Sequence, residues 1–265
     1  MRLIIVLFLG LLLWLPLRAQ DERIEDFSFE DLPEEELSSF YEIVGVGVIG
    51  TAQFLNVDAV QQVAEQLFPQ STPAIDAPLY CAGFYIAESF YPGKKFRFGF
   101  LYTAGSRKQT GSTTIGDGND TAQVQRRLEY GISYNALTVD YAFVPASQLA
   151  IVAGLQLGWG SIRFSAAQSL EQRRFDEEFQ FDQPSINNST TLETLHFFTA
   201  PQLAIEWSPT ATALLRIAGT YHFSWTGEWK ADNIQRVENV PKTLNGGGFG
   251  VQIGLFIGLF RIGVP

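Results

Sequence analysis

Residues 95–103, KFRFGFLYT, alternate with period two: Phe96, Phe98, Phe100 and Tyr102 fall on one side, and Lys95, Arg97, Gly99, Leu101 and Thr103 on the other. Successive side chains of a strand point to opposite faces, so this pattern predicts a β-strand with one greasy side. The split recurs at 41–54, where Val44, Val46, Val48, Ala52 and Phe54 oppose Gly45, Gly47, Thr51 and Gln53. It recurs again at 127–136, with Leu128, Tyr130, Ile132 and Tyr134 against Arg127, Glu129, Gly131, Ser133 and Asn135. Segments at 149–159, 201–207, 213–225 and 248–265 follow the same rule, and 78–90 follows it more weakly. Eight segments predict eight strands. The apolar phase slips near Ala136 and Gly160, which predicts a bulge or an undetected turn at each.

The second face of these strands is informative. A soluble sandwich shows water a surface rich in Lys, Glu and Thr, whereas here the non-apolar face is Gly, Gln, Ser and scattered charge. Small and polar residues suit a narrow lumen, and large aliphatic and aromatic ones suit lipid. The predicted fold is therefore all-β: a single transmembrane antiparallel up-and-down barrel. Tyr41, Tyr91, Tyr141, Trp159, Trp207 and Trp225 lie near strand ends, where an aromatic girdle would meet lipid headgroups. Connections alternate long (55–77, 105–122, 166–190, 228–247) and short (YPGKK, VPASQ, SPTA), so the short turns belong on one side of the membrane and the long loops on the other. One stretch breaks the period: NVDAVQQVAEQLF, 56–68, spaces Val60, Val63, Ala64 and Leu67 at helical intervals behind Asn56, predicting a short amphipathic helix that plugs the barrel or lies across its mouth.

Over about residues 40–265 this organisation resembles the small eight-stranded outer-membrane barrels of the OmpA and OmpX kind. The resemblance implies a bacterial outer-membrane location with short turns in the periplasm. It is carried by strand number and loop asymmetry rather than by a local motif.

Composition changes the picture at the N-terminus. Residues 1–19, MRLIIVLFLGLLLWLPLRA, place Arg2 before an apolar run from Leu3 to Leu15 and small Ala19 before polar residues, which reads as a cleaved export signal. Residues 21–37 carry nine acids and one arginine, so 20–39 reads as a poorly ordered acidic arm on the periplasmic side, leaving 40–265 for the barrel. Most of the net charge of −10 sits in that arm, and no polybasic footprint for nucleic acid is present. Cys81 is the single cysteine, so no internal disulfide staples the fold.

Candidate chemistry is sparse. Glu42, Arg97, Glu129, Glu206 and Arg216 fall on small or polar faces, and charges inside a packed lumen must pair, which predicts an Arg/Glu network there. With only His196 and His222 in the chain, a multi-histidine metal site is not expected, and no cofactor is implied. His222, Ser224 and Glu228 share strand parity, and a lipid A deacylase of the outer membrane is similar in using His, Ser and Glu on a barrel. In that family the triad faces lipid; here parity puts His222 and Ser224 on the polar side, so the chain reads as non-enzymatic. GDGND, 116–120, offers oxygen ligands without the glutamate an EF-hand needs. The function expected is that of an integral outer-membrane barrel with a structural, anchoring or surface-interaction role. Its partners are outer-membrane lipid and another envelope protein met through the loops or acidic arm. The alternatives are a narrow pore or gated hydrophobic-ligand conduit plugged by the 56–68 helix, and a lipid-modifying hydrolase.

Overall fold

The computed structural model describes residues 39–68, 73, 78–89, 95–115, 122–170, 188–232 and 234–264. Ten strands lie among them: β1 (Phe40–Leu55), β2 (Leu79–Ser89), β3 (Phe96–Ile115), β4 (Ala122–Ala146), β5 (Leu149–Leu170), β6 (Asn188–Thr210), β7 (Ala213–Thr226), β8 (Trp229–Ala231), β9 (Gln235–Val237) and β10 (Gly248–Gly263). A helix, α1 (Val57–Leu67), follows β1 directly. Each of β1 to β6 pairs antiparallel with the next; β7 pairs with β10, and β10 returns to β1. Eight staves thus close a ring, and the short β8 and β9 form a ribbon beside β6. Closure gives every stave a partner on both sides, which is what a sheet in hydrocarbon requires.

The outer face carries a broad apolar belt. Leu203, Ile205, Ile253, Leu255, Ile257 and Leu259 are each more than half exposed, and the belt continues across all eight staves. Its upper rim is marked by a cross-strand row, Trp159 opposite Phe197 and Phe197 opposite Trp225, and its lower rim by Trp207 on β6 and Tyr141 on β4, whose ring meets Phe96 edge-on. From Trp207 to Phe197 on β6 is ten residue steps, about 25 Å along the barrel axis at ~3.3 Å per residue and a tilt of about 40°. That height matches the hydrocarbon layer, so the barrel spans a membrane with this belt outward.

Above the rim the polarity inverts. On β4, Leu128, Tyr130, Ile132 and Tyr134 are buried inside, while Arg127, Glu129, Gly131, Ser133 and Asn135 line the outside; below Ala136, Leu137, Val139 and Tyr141 face out and Thr138 and Asp140 face in. β5 does the same around Gly160, with Leu155, Leu157 and Trp159 outside below and Ile162 and Phe164 inside above. Neither a bulge nor a turn is present at these points: the β4 to β5 register runs unbroken from Val124 to Phe143. The period of two is continuous, and only the solvent outside changes from hydrocarbon to water. The long connections 105–122 and 166–190 are corrected accordingly, since β3 runs to Ile115, β4 starts at Ala122, β5 runs to Leu170 and β6 starts at Asn188. Residues such as 105–114, GSRKQTGSTT, lack an apolar outer face because that face is wet, so their strand character was invisible to hydrophobic periodicity.

The wall is consequently lopsided. β3 to β6 rise well above the belt, whereas β1 and β10 stop together at Leu55 opposite Gly248. α1 starts from this low side. Asn56 caps it, accepting from the Ala59 amide at 3.4 Å, and Ala59, Val60, Val63 and Ala64 form its buried face.

Candidate functional site

The lower end of the lumen is filled by one hydrogen-bonded cluster. Arg97 on β3 donates from Nε to Asp140 at 3.0 Å and from Nη2 at 2.5 Å, and from Nη1 to Glu206 at 2.7 Å and to the Tyr41 hydroxyl at 2.8 Å. Glu206 on β6 also accepts from the Tyr41 hydroxyl at 2.6 Å and from Arg216 on β7 at 2.9 Å. Arg216 donates to Gln202 at 2.8 Å; Gln202 also accepts from Gln156 and donates to Asp140. The Tyr85 hydroxyl donates to Asp140 at 3.1 Å, and both guanidiniums lie near its ring, Arg97 at 5.6 Å and Arg216 at 5.3 Å. Two arginines and two carboxylates make the cluster neutral, and all four are at most 3% exposed. Seven staves, β1 to β7, contribute to it, and β10 supplies the Phe256 ring edge-on to Tyr85.

Glycines on the inner wall make room for this cluster. A Cβ at Gly154 would strike the Asp140 carboxylate, and one at Gly99 would strike the Tyr85 ring and the Thr138 hydroxyl. The same device holds the rings above and beside the cluster: Gly158 leaves the place of Phe198, Gly47 that of Phe256 and Gly45 that of Phe260. The small face seen in the sequence is therefore a mould for large neighbours rather than an open channel wall.

The upper lumen is apolar. Leu128, Ile132, Ile162, Phe164 and Leu192 are buried from β4, β5 and β6, in one core cluster with the buried face of α1 and with Phe68. The Phe68 ring lies beneath the guanidinium of Arg126, 5.0 Å away, and Arg126 faces inward on β4. Since β2 and β3 stand between β1 and β4 in the ring, the segment from Leu55 to Phe68 crosses the mouth. The last connection dips in beside it: Leu244 is buried, and Gly246, at φ +74°, packs against Ile132 and Ile162 with its carbonyl accepting from Gln53 at 3.3 Å. Only a residue without Cβ combines that left-handed backbone with that contact.

The expected site residues divide clearly. Arg97, Glu206 and Arg216 are brought together in the lumen. Glu42 is instead on the outer face, where it pairs with Arg261 at 3.3 Å, and Glu129 is on the wet outer wall, paired with Arg127 at 2.9 Å. Tyr41 does not join the girdle: it is fully buried and its hydroxyl serves Glu206, because odd positions of β1 face inward. Tyr141, Trp159, Trp207 and Trp225 are about half exposed on the belt, and Tyr91, like residues 1–38 and the 116–120 and 171–187 segments, lies outside the described residues. His222, Ser224 and Glu228 do not assemble. The Ser224 hydroxyl donates to the Asn245 carbonyl at 2.5 Å, the His222 ring stacks on Phe198 at 4.6 Å, and Glu228 pairs with Arg236 at 3.2 Å. The two histidines sandwich Phe198, His196 stacking at 5.6 Å on it, and so share no metal position.

No protein-family model matches the chain, and no curated protein sequence matches it. Among solved structures it is similar to Ail, the attachment invasion locus protein of Yersinia pestis. Two crystal structures of that protein, one alone and one in complex with the heparin analogue sucrose octasulfate, match at 9% and 8% identity; each match covers 84% of this chain and 99% of Ail at a TM-score of 0.34. The strand register of this chain by itself closes an antiparallel ring of eight staves.

Sequence reasoning missed Asp140, Gln202, Tyr85 and Gln156. Asp140 was detectable: below the polarity switch, LTVDYAF alternates Leu137, Val139, Tyr141 and Phe143 against Thr138, Asp140 and Ala142, which assigns Asp140 to the same inner face as Arg97. Tyr85 carried no such signal, since a tyrosine amid an apolar strand gives no hint that its hydroxyl is spoken for.

Proposed function

We propose that the chain is an exported integral outer-membrane barrel whose role is structural or surface-interacting, with lipid and envelope surfaces as its partners, and that it neither conducts nor catalyses. The reading is carried by one observation: the lumen is blocked twice, by a neutral cluster whose arginines and carboxylates pair with one another at the short-turn end and by an apolar core under α1 at the other. An ion crossing it would have to break the cluster and then enter an apolar layer, each costing several kcal/mol. What remains available for interaction is the outside, above all the β3 to β6 wall that stands clear of the belt. In this reading the 1–19 segment directs export and the 20–39 acidic arm lies on the periplasmic side.

The dispersal of His222, Ser224 and Glu228 onto separate partners favours the same conclusion over a hydrolase. Planar-bilayer recording of the reconstituted chain tests it. No stepwise conductance is expected; reproducible single-channel steps would favour the pore. A lipid A mass spectrum from cells expressing the chain tests the hydrolase: Ser224→Ala is expected to leave it unchanged, and a difference would favour the enzyme.

A further inference from the structure

Between the charge cluster and the apolar core the lumen holds a layer of uncharged polar groups. His196 on β6 lies between Leu192 above and Gln202 below, and His222 on β7 lies above Thr220 and Arg216. Both rings stack on Phe198, at 5.6 and 4.6 Å, and Tyr134 on β4 meets all three rings edge-on at 4.9 to 6.3 Å. The histidines are 1% and 2% exposed, and among the described residues none of their four ring nitrogens has a hydrogen-bond partner. Gly160, opposite His196 in the ladder, brings only backbone near that ring. The Tyr134 hydroxyl is unpartnered too, as is that of Thr103 opposite it.

No acid faces these rings. The titratable groups turned inward beside them are Tyr130 and Tyr134 on β4 and Cys81 on β2, while β1, β5 and β10 bring Thr51, Gly158 and Gln252. The lumen carboxylates, Asp140 and Glu206, lie lower and are each paired with both Arg97 and Arg216. Above, the inward charge is another cation, Arg126, and Arg107 on β3 donates to the Pro78 carbonyl. Glu193 and Glu228 pair with Arg163 and Arg236, and Asp58 and Glu65 of α1 are exposed. A protonated imidazole in this layer would be a buried charge with neither acceptor nor counter-ion. The cover above it is lightly tied. β7 continues to Thr226, but its ladder with β10 starts at His222 opposite Gly248, and residues 244–247 pass by in place of a strand. A Cβ at Gly247 would lie 3.1 Å from the His222 carbonyl. This strap is held by reciprocal hydrogen bonds between Ser224 and Asn245, by Gln53 on the Gly246 carbonyl, and by Leu244, which shares a core with the buried face of α1.

We propose that His196 and His222 make the mouth of the barrel acid-sensitive: their protonation releases the cover formed by residues 244–247 and α1, and opens the upper lumen to the outside medium. The closed form has room for the rings only as neutral imidazoles, whereas in the open form water solvates the imidazolium. The open form therefore binds more protons, and its share grows as the pH falls through the ordinary histidine range, about 6.5. The strap yields before the staves do, because each stave carries a ladder on both edges and the strap has a few isolated bonds. The lower cluster holds no histidine and stays paired, so acid opens the mouth without opening a conductive path. The inference adds a condition-dependent outer surface to the structural reading and does not alter it.

The test is hydrogen exchange, read by mass spectrometry, of the full chain in phospholipid nanodiscs at about pH 7.5 and about pH 5, with each rate corrected for the intrinsic effect of pH. On acidification the wild-type amides of α1 and of 244–248 are expected to lose protection by at least about tenfold, while those of β3 to β5 keep theirs. The double variant His196→Phe with His222→Phe replaces each ring by an apolar one and is expected to lose the response. Either single variant is expected to weaken it, and His222→Phe alone carries the test if the double variant gives no heat-modifiable band. Three results would each overturn the proposal. One is protection unchanged by acid in the wild type. Another is a response undiminished in the variants, which would assign it to carboxylates such as Asp58 and Glu65. The third is a loss spread over the staves with loss of the unboiled band shift, which would mean that acid unfolds the barrel rather than lifting its cover.

Discussion

Arg97 and Glu206 meet at 2.7 Å although they come from β3 and β6, on nearly opposite sides of the ring, with side chains 2% and 0% exposed. Their contact is a strut across the lumen. Removing Glu206 leaves the buried Arg97 and Arg216 to share the carboxylate of Asp140, a net buried charge that is far worse than never having built the cluster. Glu206→Ala is therefore expected to destabilise the barrel by about 3–5 kcal/mol. The check is the urea midpoint of tryptophan fluorescence in lipid vesicles. Glu129→Ala, which breaks an exposed pair with Arg127, is expected to cost less than about 1 kcal/mol in the same assay.

Polarity inversion at the belt's upper rim makes a positional prediction. Leu203→Arg places a charge in the hydrocarbon and is expected to cost about 2–4 kcal/mol, while Ser133→Arg, equally outward but above the rim, is expected to fall within about 0.5 kcal/mol of the parent. Unfolding in vesicles measures both. Equal costs would mean the belt's boundary lies elsewhere.

Glycines of the inner and outer wall are expected to respond oppositely to the same substitution. Gly154→Leu drives a side chain into the Asp140 carboxylate and is expected to block formation of the heat-modifiable barrel. Gly50 is on the outer face, where an added Cβ would meet nothing within 4 Å, and it is expected to accept leucine with unchanged or slightly raised stability. Band shift on an unboiled gel reads the first, and the urea midpoint the second.

The cap over the mouth is held by the apolar face of α1. Val63→Asp buries an unpaired carboxylate against that core, and is expected to raise hydrogen exchange of the α1 amides by at least about tenfold while the barrel strands stay protected. Conductance is expected to remain absent, because the lower cluster still closes the lumen. Exchange with mass-spectrometric readout, beside planar-bilayer recording of the same variant, checks both statements.

Periodicity alone determined the elements: eight strands, each with one apolar face and one small or polar face, and a short helix within 56–68 at helical spacing behind Asn56. These are local properties, since period two and period 3.6 are written into consecutive residues and do not depend on what lies across the molecule. What the tertiary structure decided is which side each face meets. Tyr130 and Leu203 look alike as apolar members of alternating strands, yet one is core and the other lipid-facing, because the boundary between hydrocarbon and water crosses the staves between them. Glu129 and Glu206 share the same pattern for the same reason, and only one is a lumen charge. Nor does any local signal pair Arg97 with a carboxylate 109 residues away; that distance is closed by ring geometry, which brings β3 and β6 within a guanidinium's reach.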